Sequence, residues 1–546
     1  MILDTLDLPY EILEASDRIG GRIFTYRFNG EAGHDAPINT PARYDYIDIG
    51  AMRYPNIPFM KRVFDLFERR LGMSEDDLLI EYKYSADNTF ERYNDILYNT
   101  SDPAIEDIFQ VSKIHGGAVP WDWVVQGVDN VANNVFREYA EKFQTEDFTT
   151  AWAYLSQQDP YSTRGYLLSR QYPESVVEWL ETFETATGLY NNAFVESAMD
   201  SMDFGSSSAS QNGRPRGEQL SYEWYCIDGG SDRFIDRMVE RIKSKPQAGR
   251  RVTKIARTES GEMDVTCGAF APTTYSQVIC TIPLGCLDAI DIPRDDLSYM
   301  QRMAIRSLNY DTSTKVALKF ATRWWEDPVV MGANRTIEGG ISSTDLPIRT
   351  CVYPSYGRSV PDTSTLPGVL LASYTWAQDA QRLGGLAQTK GSEADARLVD
   401  ITLQNLSALH NVPVESMGPL VDHFAFNWHN DPNARGAFAL FGPGQFGVSS
   451  GGTDGTAQGQ SMFASLKAPA AKGRLHVAGE ATSVHHAWVL GALNSAWRAV
   501  YNALGQLEES QVEVKRQQLI AEWGIPDEED VTALVKLALL SYSGAL

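Results

Sequence analysis

The spacing of apolar and polar positions predicts a chain that mixes strands with helices. Apolar residues recur every three or four positions over residues 131–143 and 175–187, which predicts two amphipathic helices. Short apolar runs bounded by turn residues predict buried strands. These strands are predicted at residues 10–13, 44–49, 251–255, 278–282, 315–320, 369–376 and 475–479.

Three further segments complete this outline. A stretch rich in Gly and Ala from about Gly491 predicts a helix soon after the last strand, and the apolar spacing from Val531 predicts a helix in the final residues. Residues 206–217 are rich in Ser, Gly and Pro and show no periodicity, which is typical of a loop.

Length and charge limit the classes of protein to consider. A chain of 546 residues has room for two to four domains, and 43% hydrophobic residues is typical of a globular protein with a large core. Lys and Arg number 47 against 71 Asp and Glu, a net charge of −24. This charge argues against nucleic acid and anionic membranes as partners. Because no apolar run is long enough to span a bilayer, no membrane span is expected.

The cysteines and histidines argue against two kinds of site. The five cysteines are odd in number and lack metal-ligand spacing, and the eight histidines include no paired zinc-binding motif. We therefore expect neither a disulfide framework nor a metal site.

A candidate nucleotide-binding motif lies near the start of the chain. An acid at the tip of a Rossmann strand can accept both hydroxyls of an adenosine ribose, and glycines after it let the backbone approach a diphosphate closely. Flanking arginines add charged donors. Directly after the predicted strand at 10–13, the sequence supplies this set as Glu14, Arg18, Gly20, Gly21 and Arg22.

A second block lies more than 450 residues later. The sequence Ala-Gly-Glu-Ala-Thr-Ser at 478–483 is followed by Ala487, Trp488 and the small residues of the next predicted helix. The start of such a helix suits an anion because its free N–H groups point outward. Packing of small residues between strand and helix would explain the glycines but not Glu480.

Together the two blocks closely resemble those of the FAD-dependent flavin amine oxidases. The chain is most similar to the L-amino-acid oxidase type, and within it to the fungal L-lysine oxidases. Residues 50–53 resemble the segment at the flavin edge, and Val252 lies where a valine contacts adenine. The resemblance therefore implies FAD as the cofactor, bound by Glu14, Arg18, Gly21, Arg22, Gly50, Ala51, Met52, Arg53, Val252, Gly479, Glu480, Trp488 and Ala492.

The resemblance also implies an α/β fold class with three domains. The expected ranges are 1–58, 218–305 and 455–510 for a Rossmann-like FAD-binding domain, 59–120 and 306–454 for a mixed-sheet substrate-binding domain, 121–217 for a helical domain, and 511–546 for a helical tail. In the family a first strand and a Gly-x-Gly-x-x-Gly turn precede the acid that Glu14 matches, whereas thirteen residues precede it here. We therefore expect the first Rossmann strand to be missing and the cofactor site to be incomplete.

Two residues match the carboxylate-binding pair of the L-amino-acid oxidases. Arg53 matches the arginine that pairs with the substrate carboxylate, and Tyr353 matches the tyrosine that hydrogen-bonds it. An arginine fork with a phenol selects an α-amino acid over a simple amine, which would leave the guanidinium unpaired. The alternatives are a structural ion pair for Arg53 and a core position for Tyr353.

Two acids suggest a preference for basic substrates. In broad-specificity relatives, basic residues stand where this chain has Asp200 and Asp311. Acids there favour a cationic side chain, because a buried ammonium needs a partner; we expect L-lysine or another basic amino acid. Ala487 is also counted among the substrate-binding residues. The alternatives are that Asp200 caps a helix, that Asp311 faces solvent, or that Asp203 takes the role instead.

The implied reaction is an oxidative deamination. Hydride passes from the substrate Cα to the flavin, dioxygen reoxidises the flavin, and the products are a 2-oxo acid, ammonia and hydrogen peroxide. The implied catalytic residues are Lys315, which matches a lysine that holds a water near the flavin, and Trp488, which would stand beside its ring system. Taken alone, Lys315 would more often be a solvated lysine on a strand.

Two other functions stay open at this point. The chain is alternatively a truncated or degenerate relative that binds FAD poorly, or an oxidase of polyamines or monoamines. The expected partners are a small amino acid and dioxygen, with neither nucleic acid nor membrane, and with a homodimer as an open question. The cell compartment cannot be read from the sequence.

Overall fold

The structure, a computed structural model, describes residues 1–74, 78–205, 223–358, 360, 366–447 and 461–543. The predicted loop at 206–217 lies outside the described residues. Of the described helices, none is long and apolar enough to cross a membrane.

The strands are mostly short. In chain order they are β1 (Thr25–Arg27), β2 (Tyr46–Asp48), β3 (Tyr54–Pro55), β4 (Leu79–Glu81), β5 (Phe90–Tyr93), β6 (Ile96–Asn99), β7 (Trp224–Ile227), β8 (Val252–Arg257), β9 (Met263–Cys267), β10 (Thr273–Tyr275), β11 (Val278–Cys280), β12 (Tyr310–Asp311), β13 (Ser313–Phe320), β14 (Ile341–Thr344), β15 (Thr350–Val352), β16 (Gly368–Trp376), β17 (Leu420–Asn427), β18 (Phe438–Ala439) and β19 (Leu475–Val477).

The helices range from single turns to 18 residues. In chain order they are α1 (Ile2–Thr5), α2 (Glu31–His34), α3 (Lys61–Phe64), α4 (Trp121–Val124), α5 (Val128–Thr145), α6 (Phe148–Leu155), α7 (Thr163–Ser169), α8 (Glu174–Phe183), α9 (Phe194–Asp203), α10 (Asp232–Arg241), α11 (Leu284–Leu287), α12 (Tyr299–Ser307), α13 (Pro328–Met331), α14 (Ala377–Gly384), α15 (Glu393–His410), α16 (Met462–Lys467), α17 (Val489–Ala503), α18 (Glu509–Trp523) and α19 (Val531–Ser543).

A mixed sheet of seven strands forms the largest layer, in the order β17-β13-β16-β15-β14-β5-β6. Its centre is antiparallel, whereas β14 pairs with β5 in parallel. One face packs on α15 through a buried apolar cluster that includes Leu318, Leu370 and Leu406. The predicted strands at 315–320 and 369–376 are confirmed as parts of β13 and β16.

The predicted helices are confirmed with shifted ends. The helix predicted at 131–143 runs from Val128 to Thr145 as α5, and its buried residues lie three and four positions apart. The helix predicted at 175–187 ends earlier, at Phe183, because Thr185 takes a φ of 58°. That left-handed conformation cannot continue a helix. Helices α5 to α9 pack together in one apolar cluster.

Short parallel pairings lie around the Glu14 turn. Strand β11 pairs in parallel with β19, and Leu13 forms a parallel bridge with Gln247. The segment predicted as a strand at 10–13 is thus reduced to a single bridge. The backbone N–H of Glu14 donates to the Gln247 carbonyl at 2.9 Å, and the carbonyl of Glu14 accepts from Arg250 at 2.7 Å. These bonds place Glu14 beside the start of β8.

The final helices pack on the first residues of the chain. Leu6, Trp497, Leu519 and Leu534 belong to one buried cluster, which joins the N-terminal segment to α17, α18 and α19. The predicted α/β class with a mixed sheet and a helical region is confirmed. The domain boundaries given above stay a prediction.

Truncation of Leu318 tests the centre of the seven-stranded sheet. Leu318 lies on β13 and is fully buried. We expect Leu318→Ala to lower the free energy of unfolding by about 2–5 kcal/mol, because it leaves a cavity in a packed core. Urea unfolding followed by fluorescence measures this free energy of unfolding. Val421→Ala, at a side chain on β17 that is 54% exposed, is the control and should change stability by less than about 0.5 kcal/mol. Equal effects would contradict the burial of β13.

Candidate active site

A cavity of about 910 Å³ lies among the Glu14 turn, α9, β16 and the start of α17. This volume is at the upper end of the range of small-molecule sites. All thirteen residues expected to bind the cofactor line the cavity, as do Asp200 and Ala487. Lys315, Tyr353 and Asp311 are not part of its wall as the described residues build it.

The turn after Glu14 leaves polar groups available to a ligand. Oε1 of Glu14 accepts hydrogen bonds from the N–H and the hydroxyl of Ser16, both at 2.8 Å. Its Oε2 makes no hydrogen bond with any described residue. Gly21 has a φ of 57°, and a Cβ at this position would meet nothing within 4 Å, so its backbone borders open space. The Arg18 guanidinium lies 4.2 Å from the Phe24 ring centre and donates to the Gly21 carbonyl at 2.6 Å.

Arg22 and Glu480 form a two-pronged ion pair in the cavity wall. The two nitrogens of Arg22 donate to the two carboxylate oxygens of Glu480 at 2.8 and 2.5 Å. Burial by itself raises the pKa of Glu480, but Arg22, the Ala439 N–H and His486 together outweigh burial and the pKa is lowered. The Ala439 N–H also donates to Glu480, and Arg22 donates to the Ala437 carbonyl. Both carboxylate oxygens thus have protein partners, and a contact between Glu480 and a cofactor hydroxyl stays a prediction.

The segment of Gly50 to Arg53 packs tightly against the turn at Arg22. A Cβ on Gly50 would lie 1.8 Å from the carbonyl oxygen of Arg22, so only glycine allows this approach. The Lys315 Nζ supports the segment from behind, donating to the carbonyls of Asp48 at 2.9 Å and Gly50 at 2.8 Å. Burial lowers the pKa of Lys315 to about 7. The solvated-lysine alternative is therefore wrong, and the catalytic role of Lys315 stays a prediction.

Arg53 brings a positive charge to an aromatic part of the wall. Its guanidinium carbon lies 5.1 Å from the ring centre of Tyr84 and 5.3 Å from that of Phe204. Burial by itself lowers the pKa of Arg53, but the nearby phenols, that of Tyr82 foremost, outweigh it and the pKa is raised. Arg53 therefore stays charged in a region of low polarity.

The structure places Tyr353 away from the described cavity wall, in agreement with the alternative of a core position. Its hydroxyl bonds with Ser342 at 2.8 Å and with His410, and the residue packs in the cluster between the large sheet and α15. Tyr374 of β16 lines the cavity instead, opposite Lys315 in the strand register. Tyr374 lies in the strand predicted at 369–376, whereas Tyr353 directly follows β15, and the apolar pattern does not show which of the two faces the cavity.

Of the two acids predicted to contact the substrate, Asp200 lies in the cavity wall and Asp311 does not. Asp200 lies inside α9, so the helix-cap alternative is wrong, and it lines the cavity. Burial, followed by the charges of Asp203 and Glu196, raises the pKa of Asp200 to about 7. The described cavity wall does not include Asp311, and its solvent-facing alternative is wrong. Asp311 is buried, and its Oδ2 accepts from the N–H of Ala377 at the start of α14. Asp203 is paired with His485 instead of lining the cavity.

Several wall residues were missed by the sequence reasoning. Glu184, just after α8, lines the cavity, and burial together with the charge of Asp200 raises its pKa well above the usual range. A single acid after a helix gives no signal of this role. Other missed residues include the apolar or aromatic Leu189, Phe204, Trp376 and Phe438 and the charged Arg250, Arg251, Asp431 and Arg435.

The second predicted block forms the opposite wall. Ala487 has a φ of 64°, and Trp488 is the residue that precedes α17. The Trp488 ring lies 5.0 Å from that of Phe204 in an edge-to-face arrangement. Ala492 from the first turns of α17 and Val252 from β8 complete the wall. The predicted helix from about Gly491 is thus confirmed with a start two residues earlier.

Comparisons with known proteins agree with this geometry. Residues 7–504 match the family described as flavin containing amine oxidoreductase. A Dictyostelium discoideum protein provisionally named a bifunctional amine oxidase is 38% identical over 97% of this chain, which spans 46% of that relative's length. L-amino-acid oxidase 4 of Hebeloma cylindrosporum is 34% identical over 92% of this chain and 79% of its own. A putrescine oxidase variant has a TM-score of 0.64 at 15% identity, over 93% of this chain and 96% of its own.

The donor set in the cavity fits the FAD that this family implies. The unbonded Oε2 of Glu14 suits the ribose hydroxyls of an adenosine. The open backbone at Gly21 and the positive charge of Arg18 suit a diphosphate. The aromatic wall around Trp488 suits a flat ring system. The cofactor prediction is thus confirmed at the level of the family.

Removal of Arg22 tests how the cofactor wall is held. We expect Arg22→Ala to lower the free energy of unfolding by about 3–5 kcal/mol, because the buried Glu480 carboxylate loses its charged partner. The purified variant should also retain less FAD, read from the flavin absorption of the protein after gel filtration. Arg397→Ala removes an ion pair whose side chains are 62% and 51% exposed, and it should change neither quantity measurably. Full flavin content in Arg22→Ala would contradict this role, and a colourless wild type would favour the degenerate-relative alternative.

Proposed function

Because this chain belongs to the family of flavin-containing amine oxidoreductases, we propose that it oxidatively deaminates an L-amino acid with a cationic side chain, L-lysine being favoured. The products are the 2-oxo acid, ammonia and hydrogen peroxide. FAD, when bound, supplies the electron-accepting chemistry. The protein supplies binding, orientation and the exclusion of water.

The observation that carries the proposal is the charge of Arg53 in the cavity wall. A guanidinium binds a carboxylate through two parallel hydrogen bonds, and the low polarity around it strengthens that attraction. Tyr374 lines the same part of the cavity, and burial raises the pKa of its phenol, so it stays a hydrogen-bond donor at neutral pH. We assign Arg53 and Tyr374 to the substrate carboxylate. The relative from Hebeloma cylindrosporum, named an L-amino-acid oxidase, supports this substrate class.

The acidic part of the cavity supports a cationic side chain. Asp200 and Glu184 both line this part, and burial raises the pKa of both carboxyls. A substrate ammonium between them would favour their ionised forms, because an opposite charge stabilises a buried carboxylate. An apolar substrate side chain would leave both carboxyls without an opposite charge. The proposal therefore assigns the side-chain ammonium to Asp200 and Glu184.

Two charged anchors would fix the orientation of the substrate. With the carboxylate at Arg53 and the side chain at Asp200, the Cα between them has little freedom to rotate, which is how positioning accelerates a reaction. Trp488, Ala487 and Phe204 close the wall around it and exclude water. Lys315, held behind Gly50, is kept as the proposed residue for the dioxygen step.

The acidic groups would also suit a diamine, so the carboxylate anchor decides between the two classes. We expect Arg53→Ala to reduce kcat/KM for L-lysine at least 100-fold and to affect a diamine far less. Tyr374→Phe should raise the KM for L-lysine about tenfold, the loss of roughly one hydrogen bond to a charged group. Steady-state peroxide assays measure both. Tyr353→Phe is the matched control and should leave the KM unchanged. Amino-acid turnover that survives Arg53→Ala would overturn the assignment.

Charge at Asp200 is expected to set the preference for basic substrates. Asp200→Asn should reduce the ratio of kcat/KM for L-lysine over L-leucine at least tenfold, whereas Asp311→Asn should leave the ratio unchanged. Because the pKa of Asp200 is about 7, its carboxylate is present above pH 7 and is lost as the pH falls below it. In the wild type the ratio should therefore fall from pH 8 to pH 6, and in Asp200→Asn this fall should shrink. A wild-type preference for L-leucine would contradict the proposal.

A further inference from the structure

The segment between α18 and α19 inserts two acids into the protein interior. The side chains of Glu528 and Glu529 are 1% and 2% exposed. The family match ends at residue 504, so this segment lies beyond it. Neither acid lines the cavity, and neither has a part in the function proposed above.

Glu528 joins two pieces of chain that flank the cavity wall. Its Oε1 accepts from the Ser483 hydroxyl at 2.5 Å and from the Asn494 amide at 2.9 Å. Its Oε2 accepts from the backbone N–H of Val484 at 3.0 Å. Asn494 belongs to α17, whereas Ser483 and Val484 begin the loop that leads to Ala487 and Trp488. One carboxylate therefore bonds to the start of that loop and to the helix that follows it.

Glu529 supports the same corner from a neighbouring position. It accepts from the fully buried Arg498 of α17 at 2.7 Å. Arg498 also donates to the Thr482 hydroxyl, which in turn donates to the Gly479 carbonyl. Lys467 lies 3.5 Å from each of the two acids. The acids thus replace their lost hydration with charged and neutral donors.

The other side of the loop is held by α9. The ring of His485 bonds with Asp203 at 2.8 Å, and that of His486 bonds with Glu196 at 2.9 Å. The same helix presents Asp200 to the cavity. The loop from Ser483 to Trp488 is therefore fixed between α9 on one side and Glu528 on the other. Ala487, which follows His486 in this loop, has a left-handed φ of 64° that a free loop would not keep.

We propose that Glu528 is a positioning residue of the active site: it reaches in from the C-terminal segment and holds the 483–488 loop so that Ala487 and Trp488 form the cavity wall. The segment between α18 and α19 is then a working part of the cofactor and substrate site. The hydrogen bonds of Glu528 support this, because they join it to the loop and to α17 more than to the C-terminal segment that carries it. The pKa of Glu528 agrees: burial alone raises it, but Lys467 and other nearby donors hold it at about 2, so the group is charged at any working pH.

The variant Glu528→Gln tests the proposal while keeping the shape of the side chain. Each carboxylate oxygen accepts from a donor, so in either orientation the new NH2 group faces another donor. We expect amide hydrogen exchange in a peptide covering 483–490 to speed up at least tenfold in the protein without cofactor. We also expect the Kd for FAD, from quenching of flavin fluorescence on titration, to rise at least tenfold. Both are measured well below the melting temperature.

A control separates positioning from general stability. Glu513→Gln changes an exposed acid of α18 and should alter neither exchange at 483–490 nor the Kd for FAD. A purely structural role of Glu528 would lower the melting temperature but leave both quantities at their wild-type values, and that result would overturn the proposal.

A milder variant covers the case in which Glu528→Gln does not fold. Ser483→Ala removes a single donor to the same carboxylate. It should raise the exchange rate at 483–490 and the Kd for FAD in the same direction, by about threefold or more. Unchanged values in a folded Ser483→Ala protein would equally overturn the proposal.

Discussion

The ion pair between the partly exposed Arg22 and the buried Glu480 is the constraint on which the cavity depends. The two residues are 458 positions apart in the chain, yet their fork of hydrogen bonds joins the Glu14 turn to the corner between β19 and α17. The backbone of Ala437 and Ala439 bonds to the same pair, which adds β18 to the junction. A charge pair out of water is stable only when both partners are present. The walls of the cavity therefore come together as a unit.

Local signals in the sequence predicted elements well and their ends poorly. Helix α5 and strand β13 carry periodic apolar patterns, and both were found at their expected places. Helix α8 stops at Phe183 because of a backbone angle at Thr185 that no apolar pattern reveals. The segment before Glu14 forms only one bridge. Its apolar run showed burial, but burial alone does not supply a pairing partner.

Site residues were predictable where spacing along the chain determines position. Glu14, Arg22 and Trp488 sit in compact turns and at a helix start, so their motifs place them directly. Tyr374 lies on β16 and Tyr353 directly follows β15, and the direction in which a strand side chain faces depends on register. The pairing of β13 with β16 contains a bulge. Between Val316 and Ala317 of β13 the register shifts, and Ala372 of β16 is left out of the pairing. The bulge moves Tyr374 off the face that Leu370 shares with α15 and turns it to the cavity. The apolar periodicity of the sequence does not predict such a bulge.

In the function proposed above, the charges of the cavity would hold a molecule that carries both signs. Arg53 stays cationic among aromatic rings, whereas burial makes Asp200 and Glu184 resist ionisation until a cation arrives. A carboxylate satisfies the first group and an ammonium the second, so a substrate with both ends charged gains from each contact only in one orientation. That orientation depends on α9, which carries Asp200, remaining fixed against Ala487 and Trp488. The same helix pairs with both histidines of the loop, so the substrate pocket and the cofactor wall share one support.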